Sequence, residues 1–377
     1  MAENKEKKVL NVPNLRFPEF QGEWEKTKLK EITKFSKERL NSIELSCSNY
    51  VTTENMLQDY QGIVSATNLP TNTNVVKFSK GDVLLSNIRP YLKKVWYADR
   101  NGGCSADVFV FKALPICNSN FLHHVIANDR FIKFAMSGAK GVKMPRGDKE
   151  QMITYKVGLP CIEEQKKIAV FLSLIDERIS TQNKIIEDLK KLKSAISKKL
   201  LDNDRWTTYK IQDIAKIGRG RVISSVEIER QKHPLYPVYS SQTSNDGIMG
   251  YLDDYMFDGE YITWTTDGAN AGTVFYRKGK FNCTNVCGTL KIQPKYDCYF
   301  VSLVLQQATQ KYVSFNLANP KLMNNIMASI KIKMPDIEMQ KQLSKIFQTL
   351  DSCLLVHQRT CDMYSREKQY LLCKMFI

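Results

Sequence analysis

From Ile168 onward, apolar residues recur at heptad spacing: Ile168, Leu172, Ile175, Ile179, Ile186, Leu189, Ile196 and Leu200, with polar residues in the seam only at Gln182 and Lys193. A second series, Leu343, Phe347, Leu350, Leu354, Cys361, Tyr364, Leu371 and Met375, is broken at His357 and Lys368. This spacing predicts two helices of about 40 residues, each about 60 Å long, that bury one narrow stripe against each other. Adding 175 to 182 and 193 gives 357 and 368, so the polar breaks coincide. Coinciding breaks fit two helices built for each other, because a polar seam residue costs stability and fixes register. The plainer reading of Lys193 and Lys368 is that each snorkels to solvent.

Ahead of each helix the pattern alternates. GDVLLSNI (81–88) and CSADVFVFKAL (104–114) are rich in β-branched and aromatic residues bounded by Gly or Pro, as strands are, while FLHHVIANDRFIKFAMSG (121–138) reads as helical and closes at Gly138. GEYITWTT (259–266) and GTVFYRKG (272–279) are strand-like, and FVSLVLQQATQKYV (300–313) is the matching helix.

The likeness of the halves is a duplication. LPCIEEQKKIAVFLSLID (159–176) aligns without a gap on MPDIEMQKQLSKIFQTLD (334–351), superposing Pro160 on Pro335, Ile162 on Ile337, Glu163 on Glu338, Gln165 on Gln340, Lys166 on Lys341 and Asp176 on Asp351. Trp24 to Leu29 has a counterpart in Trp206 to Ile211, VWYADRNGGCS (95–105) in VFYRKGKFNCT (274–284), and MPRGDKEQMITYKVGLP (144–160) in NPKLMNNIMASIKIKMP (319–335). The expected organisation is therefore an α/β unit over 1–158, a helix over 159–203, a second α/β unit over 204–333 and a second helix over 334–377. An antiparallel pairing relates the two units by a pseudo-twofold axis, whereas a parallel one needs a linker running back along the rod. Residue 377 is 202 plus 175, so the repeat behaves as if it were circular.

Composition narrows the partners. The 377 residues carry 55 Lys and Arg against 39 Asp and Glu, a net charge of +16, which favours nucleic acid or an acidic membrane surface. No apolar run is long enough for a signal peptide or a membrane span, so the expectation is a soluble cytoplasmic protein with no membrane partner. Ten cysteines lie scattered without a paired framework, and four histidines (His123, His124, His233 and His357) offer no zinc pattern, so no metal is expected.

P-x-I-E-x-Q-K-x-I/L followed by a long heptad helix, once centrally and once at the end, resembles the specificity subunit of type I restriction-modification systems. GDVLLSNIRPYLKKVW (81–96) also resembles a recurring element of that family's target recognition domains. The resemblance implies two tandem α/β target recognition domains, each followed by a long helix, with the helices packed as an antiparallel coiled coil of pseudo-twofold symmetry. It implies double-stranded DNA as ligand, each domain reading one half of a bipartite asymmetric site. Two methyltransferase subunits and two restriction and translocase subunits would dock, and S-adenosylmethionine, ATP and Mg would sit on those partners, with no cofactor in this chain. The second copy departs at Met339, which replaces Glu164, and in carrying Cys353, Cys361 and Cys373 along its helix.

Reading DNA needs cations for phosphates and a few placed donors for base edges. Candidates in the first half are Arg89, Tyr91, Lys93 and Lys94, with Lys140, Lys143 and Arg146 in SGAKGVKMPRG; in the second they are Arg219, Arg221, Asn270, Arg277 and Lys321. Candidates for the helix seam are Ile168, Leu172, Ile175, Ile179, Gln182 and Leu189 with Leu343, Phe347, Leu350, Leu354, His357 and Leu371. No catalytic residue is assigned. The chain has no phosphate-binding G-x-x-x-x-G-K-[ST] loop, and Gly218-Arg219-Gly220 is a lone G-x-G. Asn319-Pro320-Lys321-Leu322 is not an amino-methyltransferase motif, and Pro335 to Lys341 reads as a helix start in which Asp336 caps and Glu338 faces the helix dipole. The competing reading is a stand-alone coiled-coil interaction protein whose basic surface binds RNA or membrane without sequence choice.

Overall fold

Heptad patterning becomes two continuous helices, Ile162–Leu200 and Ile337–Met375, in the computed structural model, which describes residues 11–201, 203–242, 244–314 and 319–377. Residues 1–10 of the expected first domain, and Asp202 beside the expected boundary at 203, lie outside the described residues. The chain divides into two compact units, the first comprising residues up to Ile185 with His357–Ile377, the second Ile186–Val356. Each unit thus contains part of both helices.

In the first unit a four-stranded antiparallel sheet runs in the order Thr33–Phe35, Val108–Ala113, Val83–Ser86, Val95–Tyr97. A second sheet orders Arg39–Asn41, Asn74–Phe78, Gly102–Cys104 and Tyr50–Val51, and the ribbon Glu25–Lys28 with Lys156–Leu159 leads into the first long helix. The span 121–138, which reads as a single helical stretch, is two helices, Ser119–Ile126 and Asp129–Ser137. The break falls at Asn128, whose side chain accepts from the Arg130 amide and caps the second helix.

The second unit repeats this plan. Its four-stranded sheet runs Ala215–Arg219, Cys287–Ile292, Glu260–Thr265, Val274–Lys278, Thr207–Lys210 pairs with Lys331–Met334, and the helix Cys298–Ala308 packs on the sheet. A three-stranded sheet joins Ile248–Leu252, Tyr236–Tyr239 and Asn282–Cys283. Trp24 packs edge-on against Phe121 in the first unit, and Trp206 against Phe300 in the second, equivalent rings in equivalent places.

Within the first unit the seam is antiparallel. Ile168, Leu172 and Ile175 share a core with Leu371, Leu372 and Met375, and Ile179 lies against it. Gln182 Oε1 lies 2.7 Å from His357 Nδ1, and Lys368, buried, is paired with Asp176. Within the second unit Ile196 and Leu200 lie with Leu343, Phe347 and Leu350, and Lys193 pairs with Asp351. Leu189 and Leu354 are half-buried on the same stripe. The two lysines therefore do not snorkel. Each is held by the aspartate that closes the repeated segment, and Asp176 is the counterpart of Asp351.

The repeated glutamines are buried as well. Gln165, 1% exposed, accepts from the Asn118 amide at 2.8 Å and donates to the carbonyls of Pro160 and Ile116 at 2.9 and 3.1 Å. Gln340, also 1% exposed, accepts from the Asp297 amide at 3.0 Å and donates to the Pro335 carbonyl at 2.8 Å. Asn118 and Asp297 cap the helices Ser119–Ile126 and Cys298–Ala308, so each glutamine ties the start of a long helix to the start of its neighbour. Glu164 differs from Met339 for a local reason: buried, it receives Arg16 in a two-point contact at 2.7 and 2.8 Å, while Met339 is exposed.

His123 and His124 lie beside Asp176 in the first unit, their nitrogens and its carboxylate within 4.8 Å of one another. Lys368 already balances that carboxylate, so a divalent cation would sit beside a buried ammonium, and the cluster is read as structural. Burial, reinforced by Lys368, pulls His123 down to about 3, and holds His124 well below its ordinary value. Both rings are neutral in the folded chain and become charged below about pH 6.5 only on unfolding. Their contribution is therefore complete above that pH and is lost as pH falls, for His123 down to about pH 3, at up to about 1.4 kcal/mol per pH unit for each ring. The urea midpoint should drop between pH 7.5 and 5.5, and His123→Gln should flatten the drop; an unchanged midpoint in the parent chain refutes this.

Candidate nucleic-acid interface

In each unit the candidate residues gather where one sheet turn meets a later loop. In the first unit the turn after Val83–Ser86 carries Arg89 to Lys94. Arg89 donates its amide to the Pro145 carbonyl at 2.8 Å, and isolated bridges join Ile88 to Arg146 and Lys140 to Arg146. Arg89 (φ 51) and Lys93 (φ 54) both adopt the left-handed conformation, flanking the short 3-10 turn Pro90–Leu92 that presents Tyr91 to solvent. Left-handed non-glycine residues carry strain that the surrounding contacts must offset. Here Asp59 and Tyr60 donate their amides to the Leu92 and Lys93 carbonyls.

The cations differ in availability. Lys93 is paired with Asp129 at 2.8 Å, and Lys94 donates to the Thr53 carbonyl at 2.6 Å, so both are half-buried and committed. Arg89 is half-buried, and its Nε has no hydrogen-bond partner among the described residues. Lys140, Lys143 and Arg146 are exposed, Lys140 lying 3.1 Å from Asp148 and Arg146 3.4 Å from Asp107.

The second unit builds the same junction from different residues. The turn after Glu260–Thr265 carries Thr266, Asp267 and Asn270, and bridges join Asp267 to Lys321 and Ser314 to Lys321. Lys321 occupies the place of Arg146, 175 residues earlier, and lies 3.7 Å from Asp267. Arg219 donates to Thr266 Oγ1 at 2.9 Å, and Asn270 Nδ2 to the Ser241 carbonyl at 3.2 Å. Arg219, Asn270 and Lys321 are thus brought onto one loop cluster, with Trp264 Nε1 bonded beneath it to the Leu322 carbonyl at 2.9 Å.

Two candidates are placed otherwise than as free surface cations. Arg221 is half-buried and forked onto Glu227, which draws the carboxylate below its usual range. Arg277 is 4% exposed, its guanidinium 3.6 Å from the Tyr239 ring centroid and 4.4 Å from that of Phe275. A surface contact was expected of it because the run VFYRKG shows no partner for the charge; the partner, Asp246, lies 31 residues earlier, at 2.9 Å. Sequence reading also missed Asp107, Asp267 and the turn Ser244–Gly247, and only the duplication, by aligning Arg146 with Lys321, could have singled out the first two's neighbours.

The chain matches the family described as "Type I restriction modification DNA specificity domain" over residues 21–191 and again over 203–361. A putative type I specificity subunit of Mycoplasma pneumoniae is 37% identical over 205 residues, spanning 52% of this chain and 82% of the relative. The type I restriction enzyme MpnII specificity subunit of the same organism is 43% identical over 145 residues, 38% of this chain and 43% of that protein. Among solved structures, a type I restriction-modification S subunit from M. genitalium superposes with a TM-score of 0.70 at 17% identity, covering 97% of this chain and 99% of the other. Another solved chain, from a structure described as the basis of complex assembly and conformational transition of the type I R-M system, gives 0.53 at 16% identity over 93% of this chain and 97% of the other.

Proposed function

The chain belongs to the type I restriction-modification specificity family, and from that premise we propose that it reads a bipartite, asymmetric duplex DNA site and scaffolds the subunits that methylate and cut. Residues 204–333 read one half-site and the first recognition region the other. The observation that carries this reading is the paired loop junction. Both units place a cation, Arg146 or Lys321, at the same bridge, while the side chains around it differ. Equivalent placement gives equivalent approach to the phosphates, and different side chains give different base preferences. The half-sites therefore differ, so the site is not a palindrome.

The chain acts without catalytic residues of its own. Two methyltransferase and two restriction subunits bind S-adenosylmethionine, ATP and Mg. The outward faces of the long helices favour such docking, since Val170, Leu174, Met363 and Tyr370 in the first unit and Ile346, Leu355 and Val356 in the second are exposed. No helix among the described residues is long and apolar enough to cross a membrane.

A genome-wide map of methylated adenines in the source organism, with and without this gene, tests the reading. One asymmetric split motif should vanish with the gene. A contiguous palindrome lost in its place, or an unchanged map while the methyltransferase partner is active, would overturn it.

A further inference from the structure

Arg277 stands where the first unit has Ala98. Val95, Trp96 and Tyr97 align with Val274, Phe275 and Tyr276 at an offset of 179, and the strand registers agree, Val83 facing Tyr97 as Ile262 faces Tyr276. Ala98 is fully buried. The shared scaffold therefore needs only a methyl group here, yet the second unit buries a guanidinium, at a desolvation cost that must be offset locally.

The offset comes from one turn. Arg277 Nη1 donates to Asp246 Oδ2 at 2.9 Å, Nη2 to the Asp246 carbonyl at 2.8 Å and Nε to Thr263 Oγ1 at 3.3 Å, while the Tyr239 and Phe275 rings lie against its faces. Asp246 belongs to the turn Ser244–Gly247 between the strands Tyr236–Tyr239 and Ile248–Leu252, closed by the Ser240 amide on the Gly247 carbonyl at 2.8 Å. Asn245 (φ 49) and Asp246 (φ 53) are both left-handed, a conformation that asparagine and aspartate adopt more readily than other residues with a side chain. Gly247 (φ 83) suits the left-handed backbone, and an added Cβ would stand 3.2 Å from both Arg277 Nη2 and the Gln242 carbonyl oxygen, which would have to give by a few tenths of an ångström. Ser244, Asn245 and Asp246 are exposed, and Asn270 ties the hairpin to the loop cluster of Arg219 and Lys321 through the Ser241 carbonyl.

We propose that Arg277 is the positioning residue of a recognition turn in the second unit, holding Asp246 so that Asn245 is presented to the base edges of that unit's half-site. The inference rests on the DNA-reading function proposed above. An exposed carboxylate facing DNA would repel phosphate, and Arg277 balances it from below. An asparagine held in one backbone conformation can make the two-point contact to adenine that a mobile one forms at greater entropic cost. Lysine cannot replace this arginine, because a single ammonium cannot grip Oδ2 and the carbonyl together while lying flat between two rings.

The test is methylation of a duplex library, randomised at both half-sites, by the full chain reconstituted with its methyltransferase subunits, with thermal unfolding of each variant as control. Arg277→Lys and Asn245→Ala should both relax discrimination about tenfold at the same position of one half-site, leaving the other half-site unchanged. Asn245 is exposed, so its variant remains informative if Arg277→Lys fails to fold. Activity falling equally on all sequences in both variants would mean a structural role only and overturn the proposal. So would unchanged preference, or relaxation by the two variants in different half-sites. A parent chain that selects no split motif would overturn the DNA-reading function itself, which separates the two failures.

Discussion

Lys368→Ala is expected to lower the stability of the chain by roughly 3 kcal/mol, read as a shift in urea midpoint at constant slope. Removing one member of a buried ion pair costs about 3–5 kcal/mol, because the remaining charge stays desolvated. The lower end applies, since the Asp176 side chain keeps 34% of its surface in water. The counterpart pair is wetter: Lys193 is 26% and Asp351 39% exposed, and Asp351 also receives the Tyr299 hydroxyl at 2.6 Å. Lys193→Ala should therefore cost about 1 kcal/mol, in the range of exposed pairs. The double change Lys368→Met with Asp176→Leu should recover most of the loss, because apolar groups of similar volume need no partner. Equal costs at 193 and 368 would refute the account, since the two pairs are equivalent in sequence and differ in burial and in the Tyr299 hydroxyl that Asp351 alone receives.

That difference marks what could be read without a structure. All ten seam positions in each helix are buried or half-buried, because a 3.5-residue spacing leaves one stripe for the partner helix whatever the rest of the chain does. The coincidence of polar breaks at an offset of 175 points to two helices built for each other, but not to the aspartate partners of Lys193 and Lys368, for which solvent is the plainer sequence reading. Those are the aspartates ending the repeated segment, brought close only when the helices run antiparallel. The break at Asn128 falls in the short polar run Asn128-Asp129-Arg130 between two apolar stretches, and periodicity alone passes over it, since a cap acts through one side-chain oxygen. Gathering of Arg89, Lys140 and Arg146, or of Arg219, Asn270 and Lys321, depends on pairings between segments tens of residues apart, which local pattern does not encode. Arg277 was misplaced for the same reason. Its charge suggested the surface, whereas its alignment with Ala98 in a buried run was the available sign of burial.

Gln165→Leu should be the most damaging change among the polar positions Gln165, Lys166, Gln340 and Lys341 of the repeated segment, lowering stability by roughly 2 kcal/mol. Leucine fills the volume but leaves the buried Pro160 carbonyl and the part-buried Asn118 amide and Ile116 carbonyl without their partner, at about 1–3 kcal/mol for the buried carbonyl and less for the two groups that water reaches. Gln340→Leu abandons one acceptor fewer, the Asp297 amide and the Pro335 carbonyl, and should cost less. Lys166 and Lys341, next in the same motif, are exposed, and alanine at either should change stability by no more than about 0.5 kcal/mol. Urea denaturation of the four variants gives the ranking, and a Lys166→Ala loss as large as that of Gln165→Leu would contradict it. The segment recurs because each half must solve the same joining problem. A strand ends at proline, a long helix begins, and the first turn of that helix must be fixed to the recognition unit beside it. A glutamine one turn into the helix does this with both ends of its amide, so in each unit the start of the long helix and the start of the helix beside it are fixed to each other by one side chain.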